Sequence, residues 1–491
     1  MQAVAGLVAA CLVAGIQVKA VRLVPVVLGG LLAVFAVRWL SLHARTALVS
    51  LFVFVPLQQP VLAYAYSRGV PGTVVRYLGF YKELVVLAVV VAAVRAGRSQ
   101  PRPLRRADVL ALVFIAMTLA FVVIQLVFPG ALGNQSLSVL LGAFRLNCLF
   151  LILFVACRRL RWTTRDLEVL GWTVLVPALA MVGPVLWERY ATDSFSRFTL
   201  QTLHLRTYLH EVIGLDLKNA FGTVLSPLNG TGAIRPGGWL YNPLELGFFL
   251  VLPLTLAFRN QVRSRTGVAG WLVTGLLGSA LLLTLTRSSV LAAGVALALL
   301  LFAAGHYQLP GRVKLLLLTL VGCLVLGPFV AQSTFVQRVA SSVKGTDSST
   351  AAHSSSSSSA LELMLSHPAG QGLGSNPVTA LREQTHGITS ENAYLQIGNE
   401  LGVIPLLVFL VLVGATQAEL RRAARRHREI GVRTVVWAAG WGLAVNGLFL
   451  HVWLSLPVAL TFWAMAGAAS AADDEPAVAP DPREEALVLA S

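Results

Sequence analysis

Residues 108–128, DVLALVFIAMTLAFVVIQLVF, carry one acidic side chain at their start and no other charge. A hydrocarbon core needs about 20 apolar residues per helix, so this stretch is long enough to cross a bilayer. Similar stretches recur along the 491 residues, whose mean hydropathy is +0.74 and of which only 12% are charged. This composition excludes a string of soluble domains and predicts an all-α, polytopic membrane protein.

The apolar stretches predict about 12–14 transmembrane helices, because each is close to the length that spans a bilayer. The predicted spans are 3–16, 22–37, 46–66, 77–95, 108–128, 139–157, 168–187, 238–258, 267–286, 288–304, 313–331, 396–417, 434–450 and 452–470. The first two and the last two are short for a membrane span, which is why the number is given as a range.

The net charge of +16 comes from basic residues that cluster in short connectors between the spans. These clusters lie near 95–106, 158–165, 259–265, 312–314 and 421–433. With the predicted spans, all of them fall on one side of the bilayer, and the positive-inside bias then predicts that both termini are cytoplasmic. No aromatic or glycine-rich nucleic-acid-binding module accompanies the basic residues. Their distribution therefore indicates the membrane topology, and we expect no nucleic-acid partner.

Two long polar stretches, Glu188–Gly237 and Ser333–Asn392, interrupt the apolar pattern, and the predicted topology puts both on the outer side. We therefore divide the chain into N-terminal transmembrane helices (1–167), a transmembrane domain (168–470) with outer loops 188–237 and 332–395, and a disordered acidic cytoplasmic tail (471–491). Any chemistry must be assembled from these loops and the helix ends beside them.

Each outer loop contains one segment with a distinctive composition. In the first loop, the apolar residues of Phe198–Lys218 are spaced as on one face of a helix. That face either lies flat at the lipid interface or packs onto the tops of neighbouring spans. In the second loop, the low-complexity run Ser354–Ser359 predicts a flexible connector.

Three arginines on the predicted outer side abut apolar helices, where a charge is costly. Arg235 precedes Pro-Gly-Gly-Trp-Leu-Tyr-Asn-Pro243, Arg287 lies in Leu-Thr-Leu-Thr-Arg-Ser-Ser between two spans, and Arg145 is about two turns into its span. A guanidinium cannot be deprotonated and offers a planar fork of donors that matches phosphate oxygens. The alternative for each is an arginine that extends to the interface without a ligand, which the tight polar turn around Arg287 argues against.

The second outer loop supplies the candidate proton acceptors. Glu391 and Asn392 come just before an apolar helix, where Asn392 could cap the helix and Glu391 could merely complement its dipole. As a general base, Glu391 would need a partly desolvated site near an acceptor hydroxyl. His386 is the other candidate because its pKa is ordinarily closer to neutrality, and His367 is a weaker one.

In order and topology, four segments resemble the O-antigen ligase and polymerase family of bacterial membrane glycosyltransferases. They are Arg235–Pro243, Leu283–Val290, His367–Gly374 and Glu391–Gly402, and the likeness covers roughly Leu167–Trp463. Each motif alone is weak, but four in register with the topology are moderately specific.

The resemblance implies a GT-C-like architecture and transfer of a glycan from undecaprenyl diphosphate to a sugar hydroxyl, at the outer face of the bacterial inner membrane, without a metal or another cofactor. It implies a lipid-linked glycan donor, a glycan or glycolipid acceptor, and diphosphate binding by Arg235 and Arg287. Glu391 stands where ligases typically carry a histidine directly before the asparagine. Because of that departure, the resemblance does not decide whether Glu391 or His386 is the general base. It also does not distinguish a ligase from a polymerase.

Two other classes compete with a transferase. A flippase or polysaccharide transporter would place ionisable groups nearer the middle of the membrane, and Arg145 and Glu245 keep that alternative alive. A scaffold subunit without chemistry would tolerate alanine at Arg235 and Arg287.

Overall fold

The computed structural model describes residues 24–99, 102–130, 132–214, 234–263, 268–304, 348–376, 391–426 and 430–471. Within these ranges all regular secondary structure is helical. The α-helices are α1 (Val24–Leu42), α2 (Ala44–Ser67), α3 (Gly72–Leu78), α4 (Tyr81–Ser99), α5 (Arg106–Val127), α6 (Leu137–Arg159), α7 (Thr164–Tyr190), α8 (Thr192–Arg197), α9 (Leu205–Thr207), α10 (Pro243–Arg263), α11 (Val268–Leu283), α12 (Arg287–Ala304), α13 (Ser348–Ser366), α14 (Ala393–Leu401), α15 (Val403–Arg425), α16 (Val432–Gly447) and α17 (Leu456–Ala471). Short π-helical turns at Phe198–Thr202 and Tyr208–Ile213, and 3₁₀ turns at Gly238–Leu240 and Val452–Leu454, complete the list.

Most of the predicted spans overlap one helix each, with ends displaced by a few residues. The predicted span 77–95 covers the end of α3 and most of α4, and the predicted span 396–417 is divided at Gly402 between α14 and α15. The spans 3–16 and 313–331 lie outside the described residues. Six helical stretches in the described part are long and apolar enough to cross a membrane, and α11, α12 and α17 are shorter apolar helices. The prediction of a polytopic α-helical membrane protein is therefore confirmed. The division at residue 167 stays a prediction, and residues 472–491 of the tail lie outside the described residues.

Aromatic packing fills the centre of the bundle. Trp463 of α17 is 1% exposed, and its ring contacts Phe154 of α6, Phe409 of α15 and Trp453, with centroids 5.2–6.4 Å apart. Large apolar side chains such as Phe54 remain exposed on the outside of the bundle, where lipid is their solvent. The helices are thus held by shape and dispersion rather than by exclusion of water.

Charged groups on the side predicted to be cytoplasmic are paired with one another. Arg158 at the end of α6 donates to Asp108 at the start of α5 and to Glu419 near the end of α15, each over 2.6 Å. It also donates to the Ser470 hydroxyl of α17 over 2.7 Å. A buried guanidinium is tolerated because two carboxylates and a hydroxyl satisfy it, and the cluster fixes the ends of four helices together.

The described part of Phe198–Lys218 packs onto the bundle. Tyr208 is fully buried and Val212 is 2% exposed, in a small apolar cluster with Leu62 of α2 and Val75 of α3. Arg76 of α3 donates to the Val212 carbonyl over 3.0 Å. Of the two alternatives for this segment, the structure therefore supports packing onto the tops of neighbouring helices.

The serine-rich run of the second outer loop is helical, so the prediction of a flexible connector is wrong. Ser354–Ser359 lies inside α13, whose later residues Ala360 and Met364 are buried and pack against α14. Serine is only a moderate helix former, so the apolar contacts after the run, rather than its own propensity, stabilise this helix.

The pairing of Arg158 generates a stability prediction. Arg158→Ala should reduce the free energy of unfolding by about 3–5 kcal/mol, because it leaves the Asp108 carboxylate buried without its partner. Thermal unfolding of the purified protein in detergent measures the effect. The exposed Arg161, in the same connector, is the control, and Arg161→Ala should leave the midpoint nearly unchanged. Equal midpoints for the two variants would contradict a stabilising role for the cluster.

Candidate functional site

A tight turn between α11 and α12 presents Arg287. Thr284 and Thr286 are buried in this turn, and Leu285 between them has φ +55°, a left-handed backbone that costs a non-glycine residue roughly 1–2 kcal/mol. The Thr284 hydroxyl accepts a hydrogen bond from the Thr286 backbone N–H over 3.2 Å. This turn of three residues joins α11 to α12, and Arg287 is the first residue of α12.

Arg235 is bound into this turn. Its Nε donates to the Thr284 carbonyl over 3.0 Å, and its Nη2 donates to the Thr286 hydroxyl over 2.9 Å. Thr286 in turn donates to the carbonyl of Pro243, at the start of α10, over 3.2 Å. Arg235 therefore contacts Thr286, the residue directly before Arg287, although 52 positions separate the two arginines in sequence.

Glu188, at the end of α7, holds the segment that carries Arg235. The carboxylate is 2% exposed, and its Oε2 accepts hydrogen bonds from the backbone N–H groups of Gly237 and Gly238, each over 2.9 Å. A Cβ on Gly237 would lie 2.5 Å from the Asn242 nitrogen, and Gly238 has φ +53°, so this path needs both glycines. Sequence reasoning missed Glu188, which stands at the boundary of the polar loop and looks like an ordinary helix-end carboxylate.

Helices α10, α12 and α16 meet beside the turn. A Cβ on Gly247 of α10 would lie 2.7 Å from the Ser289 hydroxyl of α12, so the two backbones approach closely only because this residue is glycine. Asn446 of α16 donates to the same hydroxyl over 3.3 Å, and both side chains are fully buried. The C-terminal end of α16 is thus fixed two residues from Arg287.

Asn392 attaches the second outer loop to α16. Its Oδ1 accepts from the backbone N–H groups of Tyr394 and Leu395 over 2.9 and 3.1 Å, so the predicted N-cap is present. Its Nδ2 donates to the Leu448 carbonyl over 2.8 Å, just beyond the end of α16. Glu391 is therefore held near the C-terminal end of α16, which contacts the first turn of α12 directly after the Arg287 turn.

His451 joins this region, and sequence reasoning missed it. It follows α16, it is half-buried and packs against Phe248 of α10 with ring centroids 6.5 Å apart, and its Nδ1 has no hydrogen-bond partner among the described residues. Burial lowers the pKa of His451, and the nearby negative charge of Glu391 offsets part of that shift. A neutral imidazole with a vacant nitrogen can accept a proton. The signal in the sequence was a histidine after the apolar run Gly447–Leu450.

Two other candidate residues, Arg145 and His367, lie elsewhere. Arg145 forms an ion pair with Glu83 of α4 over 3.2 Å, and no described contact joins it to the Arg287 turn. His367 lies beside the C-terminal end of α14, whereas Glu391 precedes its N-terminus. His386 lies outside the described residues.

The arrangement has the parts that transfer from a phosphate ester requires. The Arg235 guanidinium is bound to the turn that Arg287 directly follows, and the carboxylate of Glu391 and the imidazole of His451 lie at neighbouring helix ends. Fixed cations stabilise negative charge that develops on a leaving phosphate, while a carboxylate or imidazole accepts a proton from a nucleophile.

A comparison with models of known protein families gives a match within the second half of the chain. Residues 272–410 match the family model described as O-antigen ligase, which confirms the resemblance over a segment that contains Arg287 and Glu391. No curated protein matches the chain. A domain of this family in a multi-pass membrane protein indicates glycan transfer from a lipid-linked donor to a glycan acceptor.

The contacts of Glu188 predict a structural effect. Glu188→Ala leaves the N–H groups of Gly237 and Gly238 buried without an acceptor, which should lower stability by about 1–3 kcal/mol for each group. Glu188→Gln keeps one acceptor oxygen and should lose less. Thermal unfolding of both variants checks the order. The control is Glu211→Gln, which changes an exposed carboxylate of the same loop and should have little effect. A Glu188→Ala midpoint equal to that of the control would contradict the assignment.

Proposed function

We propose that this chain, through the O-antigen ligase domain at residues 272–410, is a membrane glycosyltransferase of the O-antigen ligase or polymerase type. It moves a glycan from undecaprenyl diphosphate onto a sugar hydroxyl. The reaction takes place at the outer face of the bacterial cytoplasmic membrane, and both termini of the chain are cytoplasmic. We assign no metal or cofactor to it.

The binding of Arg235 into the turn that precedes Arg287 carries this proposal. Thr284 and Thr286 fix the Arg235 guanidinium, Glu188 fixes the backbone that follows Arg235, and Arg287 comes directly after the same turn, so the two arginines supply a cationic site at the end of the bundle. A diphosphate presents several oxygens to such a site, and a planar guanidinium can bind two of them at once. The isoprenoid chain of the donor stays in the bilayer beside the helices. The predicted role of Arg145 stays a prediction, with its ion pair to Glu83 against it.

The chemistry is one displacement. The acceptor oxygen forms a bond to the anomeric carbon of the donor sugar, and the bond from that carbon to the phosphate oxygen breaks. Undecaprenyl diphosphate leaves with the electron pair, and the arginines stabilise the charge that grows on it. The proton of the acceptor hydroxyl passes to a base. Glu391 and His386 are the bases expected from the sequence, and the geometry adds His451.

The position of the polar groups favours a transferase over a transporter. The Arg235 and Arg287 turn, the N-cap of α14 and His451 all lie at helix ends on the predicted outer side. Transporters usually bind their substrates near the middle of the bilayer, at broken helices. The alternative, a flippase of lipid-linked glycans, is tested together with the transferase in the assay described below.

The arginines provide the first functional prediction. Arg235→Ala or Arg287→Ala should reduce transfer by about 10²–10³-fold, because each removes a donor aimed at the leaving diphosphate. Arg287→Lys should retain only part of the rate, since an ammonium lacks the fork of donors. The measurement is glycan transfer by the purified protein from undecaprenyl-diphosphate oligosaccharide to candidate acceptors, with and without EDTA.

The matched control is Arg206→Ala, which removes an exposed arginine of the first outer loop and should leave the rate unchanged. Normal products from both site variants at normal protein level would exclude the enzyme. Movement of the lipid-linked glycan across vesicles without any transfer would favour the flippase. Loss of transfer with EDTA would contradict a metal-independent reaction.

The base is identified by comparing Glu391→Gln, His386→Ala and His451→Gln. Loss of a general base typically reduces the rate by about 10²–10⁴-fold. If His451 is the base, wild-type activity should decline only well below neutral pH, because the imidazole must be neutral and burial lowers its pKa. The pH dependence of the rate in each variant separates the three. Full activity of the His451→Gln variant across this range would exclude His451.

A further inference from the structure

A concavity with apolar walls and a basic rim lies between α15 and α16, away from the Arg287 turn. It is a groove between the last turns of α15 and the first turns of α16, with a cavity of about 280 Å³, and we name it the α15–α16 groove. Gly414, Ala418 and Arg421 line it from α15, and Trp437 and Trp441 line it from α16. No part of the proposed transferase site uses it.

The helical spacing explains why a groove opens here. Gly414, Ala418 and Arg421 recur at intervals of four and three residues and so share one face of α15, while Trp437 and Trp441 are one turn apart on α16. The small side chains leave space between the two helices, and the indoles form a wall. Towards the middle of the membrane the groove is apolar, which suits a hydrocarbon chain.

A buried amide faces the groove. Gln417 lines it and is only 2% exposed, and its Oε1 has no hydrogen-bond partner among the described residues. A buried amide oxygen without a donor costs free energy in a low-dielectric setting. This group indicates that a polar occupant, or water that accompanies one, belongs in the groove.

The rim of the groove is positive. Arg421, Arg422 and Arg425 line it, and the Arg421 guanidinium lies over the Trp437 ring at 5.8 Å. Glu419, an acidic residue of the same helix, is engaged by Arg158 over 2.6 Å. The rim therefore has charge complementarity for an anion, at the level where positive-inside residues meet lipid headgroups.

We propose that the α15–α16 groove binds an anionic phospholipid of the leaflet on that side, which the charge bias predicts to be the cytoplasmic one. The phosphate contacts Arg421 and Arg425, and an acyl chain lies along Gly414, Ala418 and Trp441. A free phosphate would not use the apolar wall, and a zwitterionic lipid would not use the excess of arginines.

The test measures lipid bound to the full-length protein in detergent by native mass spectrometry. The probes are phosphatidylglycerol, phosphatidylcholine and inorganic phosphate. We expect phosphatidylglycerol to bind and to raise the unfolding temperature, whereas phosphatidylcholine and phosphate should not. The double variant Arg421→Gln/Arg425→Gln should weaken phosphatidylglycerol binding by about tenfold or more, since each arginine near the headgroup contributes to attraction.

Two further variants separate the groove from general charge. Arg161→Gln/Arg165→Gln removes the same charge from exposed arginines of another connector on that side and should leave binding unchanged. Gly414→Leu fills the groove without removing charge, and because a Cβ there meets no atom within 4 Å it should fold normally and lose the lipid. Equal losses in the two double variants, equal binding of phosphatidylcholine, or unchanged binding to the Gly414→Leu variant would each overturn the proposal.

Discussion

The hydrocarbon layer contains no water to satisfy a backbone amide or a charge, and this constraint limits where the charged groups of the described residues can lie. Backbone groups are satisfied inside helices, and charged side chains are either paired or moved to the helix ends. Arg158 shows the first solution, with Asp108, Glu419 and Ser470 around it. The Arg287 turn shows the second, where charge is tolerated because the helix ends there.

The same constraint explains why the candidate site depends on so few contacts. The polar backbone of the turn between α11 and α12 must be satisfied locally, and the Arg235 guanidinium, which accepts nothing and donates widely, satisfies the Thr284 carbonyl. Glu188 does the same for the two glycine N–H groups that follow Arg235. The contacts that stabilise this end of the bundle are therefore also the contacts that orient the proposed diphosphate site.

Helix α16 connects the two ends of the molecule. At its C-terminal end it contacts the proposed transferase site through Asn446 and the Leu448 carbonyl, and nearer its N-terminal end its tryptophans line the α15–α16 groove. It also packs extensively against α12, which begins with Arg287. A lipid in the groove would thus contact the same rigid helix that positions the candidate base, without touching the reacting groups.

The apolar periodicity alone determined the fold class, because membrane-length runs and the basic connectors between them have few structural solutions. It also picked out Arg235, Arg287 and Glu391, since charge beside an apolar helix is conspicuous in one dimension. Only the tertiary structure decided that Arg235 inserts into the turn before Arg287, that Asn392 bonds to the end of α16, and that Glu188 and His451 belong to the same region. These contacts join residues that are tens to hundreds of positions apart in sequence. Their geometry depends on how the helices pack, and helix packing is determined by the shapes of the side chains, which hydropathy does not describe.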